Sequence, residues 1–323
     1  MRFAFTDDQL AFRDAVRDLL AKECPPEVVR AAWNAPGRAG GAWSALGEMG
    51  VLGVLASEAD GGLGLTPIDL VLLLEETGYA ALPEPIVEHA CVAVPLVGAD
   101  ASALLDGTAT VTAPFHHDSV VPYSDRADWF LLFAGDAFHL VPRRAVALDP
   151  CESVDAARCL ARVEWDGAGG RVVADGDDAG RAFDRGAFGT AAQLVGLARR
   201  MLDMSVEYTK ERQQFGVPIG SFQAVKHHLA DARIALEFAR PLVYRAAWSL
   251  ADGDPDAGVH VSMAKATASD AAAVAGAQAL QCHGAIGYSF EYDLHLYLKR
   301  AWALGAAWGD AAWHRDRVGR AIL

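Results

Sequence analysis

Positive charge is scarce in this sequence: 28 Lys and Arg stand against 42 Asp and Glu, a formal net charge of −14. That balance disfavours nucleic acid or an anionic membrane as a main partner and obliges any bound phosphate to rely on a local basic pocket. Cysteine is scarce too. Cys24, Cys91, Cys151, Cys159 and Cys282 form no CxxC pair and are odd in number, so neither a disulfide framework nor a zinc site is indicated and a reducing cytoplasm is the expected location. No stretch reaches the ~18 apolar residues of a membrane span, and MRFAFTDDQL has no basic region leading into an apolar run, so a soluble, untargeted chain is expected. The glycine-rich stretch EADGGLGLT (Glu58–Thr66) lacks the preceding strand that a phosphate loop needs and reads as a tight inter-helix turn. His116, His117 and His139 lack ligand spacing and read as hydrated surface, with no metal expected.

What is present is apolar residue in quantity. At 323 residues, 52% of them hydrophobic, with a mean hydropathy of +0.15, the chain suffices for two or three domains and a sizeable core. Thr6, with Asp7, Asp8 and Gln9, caps a helix expected to run to about Glu23. Pro25 and Pro26 interrupt it, periodicity resumes near Val28, and Trp43, Leu46, Met49 and Leu52 have the spacing of a further helix. An apolar helix from about Pro67 to Gly78 carries Glu75 and Glu76. From Thr108 the texture becomes β-like (ATVTAPF, DWFLLF, AFHLVP, RVEWD), predicting a small antiparallel sheet ending near Val173. Helical periodicity returns from Asp184 through Leu194, Leu197, Met201, Met204 and Tyr208. Three more helices are expected: Ser221 to about Ala251, with Phe222, Val225, Leu229 and Phe238 on its apolar side; an alanine-rich one from about Asp256 to His283; and one from Asp293 to the end. The architecture expected is α+β, mainly α: a helical domain (1–107), a small β domain (108–180) and a C-terminal four-helix domain (181–323).

The centre of interest is Glu207–Ala230, EYTKERQQFGVPIGSFQAVKHHLA, a helix that ends in charge and amide, breaks at Gly216, Pro218 and Gly220, and restarts at Ser221. Together with QCHGAIGYSFEYDLHLYLKRA (Gln281–Ala301), the N-terminal WSALGEMGVLGVLASEADGGLGLT and the domain order, this stretch resembles the acyl-CoA dehydrogenase family over nearly the whole chain. The resemblance implies FAD, with its ADP half held by the C-terminal bundle and largely by that of a neighbouring subunit. Arg212 would meet the pyrophosphate and Phe215 the ribose and adenine, with Gln214, Phe222 and Gln223 on the same turn. Gln281, Gly284 and Ala285 match a second ADP-contacting turn, Ala285 standing where the family usually has glycine. A planar guanidinium beside amides exposed at a helix break suits a pyrophosphate.

The resemblance fails at the chemistry. Family members remove the substrate α-proton with a carboxylate while the flavin takes the β-hydride. Counting along the motifs puts Trp308 at the usual position of that base and Gly186 at the alternative one. An indole cannot accept the proton. The Thr-Glu-x-x-x-Gly-Ser segment that covers the isoalloxazine is also missing, so no catalytic residue is assigned. Short members of this kind occur in heteromeric α2β2 actinobacterial enzymes acting on steroid acyl-CoA side chains. The expectation is therefore a heterotetramer subunit whose partner carries the base, with an acyl-CoA substrate and an electron-transfer flavoprotein or similar acceptor. Two rival readings are a self-sufficient dehydrogenase with Asp310 or Asp184 as a displaced base, and a scaffold that binds no flavin.

Overall fold

The computed structural model describes residues 4–35, 37, 40–98, 102–114 and 119–323; His116 and His117 lie outside them. Helix α1 (Asp7–Glu23) opens with a reciprocal capping box, Thr6 Oγ1 accepting from Gln9 N at 3.2 Å and Gln9 Oε1 from Thr6 N at 2.9 Å, which satisfies two otherwise orphaned donors. Pro26 takes the first position of α2 (Pro26–Asn34), where its missing N–H loses nothing. Helix α3 (Ala42–Glu48) buries Trp43 and Leu46, and a separate 3-10 turn at Val51–Gly53 buries Leu52. The glycine-rich stretch is a turn, as expected. Leu63 N and Leu65 N donate to Gly53 O and Val54 O, both at 3.0 Å, so amides that a phosphate loop would present are spent on the protein itself.

Helix α4 (Pro67–Tyr79) lies at the centre of this half, with Leu70 through Gly78 all buried. It meets α7 (Gly176–Glu211) so closely that a Cβ on Gly196 would stand 2.0 Å from Glu75 O, and one on Gly78 2.1 Å from Gln193 O. Only glycine fits at that crossing. A π-helical segment, Val87–Ala93, follows α4 and leads into the short helices α5 (Val94–Val97) and α6 (Ser102–Leu105).

The middle of the chain differs from the single antiparallel sheet read from the sequence. Strands β1 (Val111–Thr112), β3 (Trp129–Ala134), β4 (Ala137–Pro142) and β7 (Arg171–Asp175) form one sheet in the order β1-β3-β4-β7, and β1 runs parallel to β3. Strands β2 (Val120–Val121), β6 (Ala161–Glu164) and β5 (Ala147–Pro150) form a second, antiparallel sheet. Between the two sheets lies a small separate core of Val121, Ala127, Phe130, Leu132, Val141 and Val163. His139 sits on β4 with its ring 5.0 Å from that of Trp165.

Helix α7 starts at Gly176, ahead of the Asp184 expected, because residues 176–183 already place Ala179, Ala182 and Phe183 on its buried side. It packs antiparallel to α8 (Gln223–Asp252), which packs against α9 (Ala257–His283). The alanines of α9 allow this: Ala264, Ala268, Ala271, Ala272, Ala275 and Ala279 are buried between α7, α8 and the C-terminal helices. The expected last helix is two, α10 (Leu294–Ala306) and α11 (Ala311–Ile322), broken at Trp308 and Gly309 where φ is 54° and 88°. Phe238, placed on the apolar side of this helix from its spacing, is 72% exposed on α8.

Candidate functional site

Two places in the C-terminal helices carry the residues singled out by the sequence. The first is the end of the bundle where α7 stops. Arg212 donates its N–H to Tyr208 O at 2.9 Å and ends the helix. A two-residue hairpin follows, β8 (Gln213–Gln214) and β9 (Val217–Pro218), with Phe215 and Gly216 both in the left-handed region at φ 53° and 79°. Such a corner matches the twist of paired strands, at some cost for a non-glycine residue such as Phe215. Helix α8 then starts after Phe222 without a side-chain cap, leaving first-turn amides open on the same side.

The second motif arrives at the same end because α9 ends there. Tyr208 of α7 stacks on His283 of α9 at 4.4 Å, and Tyr292 closes the cluster at 4.9 Å from His283. The carbonyl of Ala279 accepts from His283 Nδ1 at 2.8 Å, so Nε2 accepts from Tyr292 Oη at 3.1 Å. Burial lowers the His283 pKa, holding it in this neutral form. Gly284 follows at φ 63° with nothing within 4 Å of the Cβ it lacks. Arg212, Gln214, Phe215, Phe222, Gln223, Gln281, Gly284 and Ala285 are all solvent-exposed, Phe215 to 93%. The single chain presents these groups outward: a guanidinium, helix-end amides, two aromatic rings and an open glycine. That donor set suits a pyrophosphate with an attached base.

The second place is the α10–α11 break, and here the structure brings together two residues far apart in sequence. Trp308 is fully buried and lies over Gly186 of α7, where a Cβ would stand 2.5 Å from the indole ring carbons. Phe183 packs edge-on to that indole at 5.9 Å. The Trp308 backbone is held by His314, whose Nε2 donates to Trp308 O at 2.8 Å while Nδ1 accepts from Ser262 Oγ at 3.1 Å. Lys265, wholly buried on α9, donates to Gly305 O at 3.0 Å and Gly309 O at 2.9 Å, on either side of the break. Burial pulls the Lys265 pKa down to about 7 and the His314 pKa down to about 4. The two carboxylates weighed as displaced bases are engaged. Asp310 caps α11 by accepting from Trp313 N at 2.7 Å, and Asp184 is paired with Arg317.

The sequence reading missed the carboxylate that does approach this spot. Glu88, on the π-helical segment, is buried with Arg158, Arg300 and the Trp308 indole as polar neighbours, and burial raises its pKa. Its signal was present in PIVEHACVAVPLV, a lone carboxylate in an apolar run. Nearby, Asp155 of the β region pairs with Arg300 of α10, both buried, and Arg300 Nη1 also donates to Leu82 O at 2.7 Å. These elements bring Glu88, Asp155, Arg158 and Arg300 into one buried polar cluster.

Comparison with known proteins identifies the family. The acyl-CoA dehydrogenase N-terminal domain family matches residues 6–100 and its C-terminal domain family residues 176–323. The chain therefore belongs to the acyl-CoA dehydrogenase family, whose members are FAD-dependent oxidoreductases acting on acyl-CoA thioesters. It is similar to the acyl-CoA dehydrogenase IpdE2 of Mycolicibacterium smegmatis, 33% identical over 302 residues, covering 92% of this chain and 93% of that one. It is 32% identical to the acyl-CoA dehydrogenase FadE34 of Mycobacterium tuberculosis, over 85% of this chain and 41% of that protein. Among solved structures it superposes on a chain of the ChsE4-ChsE5 complex from Mycobacterium tuberculosis with a TM-score of 0.89 at 25% identity, covering 100% and 99% of the two chains. A Tcur3481-Tcur3483 steroid ACAD variant gives 0.86 at 24% identity over 98% of both chains and shares the fold. Among the described residues no helix is long and apolar enough to cross a membrane.

Proposed function

We propose that this chain is the subunit of a heteromeric, FAD-dependent acyl-CoA dehydrogenase that lends ADP contacts and interface to a partner bearing the catalytic base. The observation that carries the reading is Trp308, fully buried against Gly186, at the two positions where the resemblance puts a base. An indole lacks the lone pair for proton abstraction. The exposed set around Arg212 and Gly284 supports the complementary half of the idea. Arg212 would hold the pyrophosphate and Phe215 the adenosine, with Gln214, Phe222, Gln223, Gln281 and Ala285 lining the same surface. The bound flavin would supply the hydride acceptor for α,β-desaturation.

Exposed apolar side chains on α8 also favour assembly. Ile234 and Phe238, one turn apart on α8, are 54% and 72% exposed, an apolar stripe that a partner subunit would cover. The likeness to heteromeric complexes supports a second acyl-CoA dehydrogenase subunit as the partner, and the name of one of them favours a steroid side-chain CoA thioester as substrate. An electron-transfer flavoprotein is the proposed acceptor, in the cytoplasm. Co-expression with an adjacent dehydrogenase gene tests this directly. The complex is expected to carry flavin and activity that Arg212→Ala removes, whereas stoichiometric flavin and turnover in the isolated chain would overturn the assignment. Unchanged flavin content in the Arg212→Ala complex would instead point to a scaffold.

A further inference from the structure

A cavity of about 210 Å³ lies between α1, α4, α7 and α10, away from both places described above. Leu20, Ala21, Cys24, Pro25, Pro26 and Ala80 give it apolar walls, and Arg17, Glu76, Tyr79, Arg200 and Tyr297 supply its polar side. The charges are not equivalent. Glu76 is already doubly paired, accepting from Arg17 at 2.8 Å and from Arg199 at 2.7 Å. Tyr79 Oη donates to Asp203 at 3.1 Å. Arg200 is left to neutral groups: its guanidinium stands 5.2 Å from the ring centres of both Tyr79 and Tyr297, its hydrogen bond to Tyr79 Oη is long, at 3.5 Å, and the Tyr297 hydroxyl is its second phenolic neighbour. Its Nε is buried and meets no acceptor among the described residues. None of their carboxylates lies within ion-pair distance of it.

A buried guanidinium N–H without an acceptor is costly, and two aromatic faces fix the group without neutralising it. The missing complement is an oxyanion, which a guanidinium takes in a planar, two-point fashion. The rest of the cavity wants hydrocarbon. An apolar cavity of about 150 Å³ holds benzene, so this one accommodates a ring bearing a carboxylate. We infer that this cavity is a binding site for a small apolar monocarboxylate of benzoate size, its carboxylate on Arg200 and its body against Leu20, Cys24, Pro25 and Pro26. The inference is independent of the flavin assignment, since none of these residues belongs to either place discussed above. A ligand here bridges both halves of the molecule, α1 and α4 on one side and α7 and α10 on the other, so occupancy stiffens their junction.

The test is titration of the intact protein, with its partner subunit if purification requires it, using benzoate, neutral benzamide and inorganic phosphate, followed by calorimetry and thermal melting. Saturable binding of benzoate at one site per chain is expected, with a raised melting temperature and at least tenfold weaker binding of benzamide and phosphate. Arg200→Met should weaken benzoate at least tenfold. Ala21→Trp closes the exposed mouth without touching Arg200, so it should also abolish binding while leaving the melting temperature of the free protein near wild type. The inference falls if benzoate does not saturate, if phosphate binds as tightly, or if benzoate binding survives in Ala21→Trp.

Discussion

Introducing a methyl group at Gly186 tests the central packing relation of this protein. In the middle of a long helix, glycine to alanine ordinarily stabilises by about 1 kcal/mol, because glycine loses more backbone entropy on folding. At Gly186 the new Cβ would stand 2.5 Å from two ring carbons of Trp308 and 2.7 Å from a third. Trp308 cannot retreat easily: it is fully buried, its carbonyl is held by His314, and Lys265 holds the carbonyls of Gly305 and Gly309 on either side. Overpacking of this kind costs about 1–3 kcal/mol, so Gly186→Ala is expected to destabilise by up to about 2 kcal/mol net. Removing the ring by Trp308→Ala should cost about 3–5 kcal/mol as a cavity. In that background the clash is gone, and Gly186→Ala should stabilise by up to about 1 kcal/mol. The sign reversal, a coupling of about 1–3 kcal/mol, is read from urea midpoints of the four proteins at constant slope. Equal effects of Gly186→Ala in both backgrounds would refute the claim that Trp308 packs on Gly186.

Three further outcomes are expected. His314, with its pKa lowered from about 6.5 to about 4 in the fold, binds its proton more readily when unfolded. Its contribution is present above pH 6.5 and is lost as pH falls toward 4, by up to about 3 kcal/mol; melting curves should show a shallower acid slope in His314→Gln, and an unchanged slope would remove His314 as the cause. Asp155→Asn strands the buried Arg300 guanidinium and should lower stability by about 3–5 kcal/mol, whereas Asp155→Leu combined with Arg300→Met should recover much of that loss in the same denaturation assay. Ala272, 1% exposed on α9, leaves no room for a ring, so Ala272→Phe should lower the melting temperature or change oligomer size; neither changing would contradict its central placement.

Much of the fold was legible because its signals are local. The capping box at Thr6, the prolines at Pro25 and Pro26, the glycine break after Arg212 and the alanine repeat of α9 each act within a few residues. The errors fell where distant contacts decide. Strand β1 is parallel to β3 through a pairing that alternation alone does not encode. The break between α10 and α11 sits inside a continuous apolar periodicity and is fixed by buried Lys265 and His314. Phe238 has core spacing yet faces outward, because periodicity names a face without naming what covers it.

The sequence by itself determined the family, the element order and the residues offered around Arg212 and Gly284, since motif and capping chemistry are carried by neighbours along the chain. Counting along the resembling motifs also put Trp308 and Gly186 at the positions where that resemblance expects a base. Only the tertiary structure decided that these two are one feature, an indole lying on a glycine 122 positions away (308 minus 186), with Glu88 drawn in beside them. Side-chain volume has meaning only against the surface it fills, and that surface comes from three separate helical segments brought together by folding.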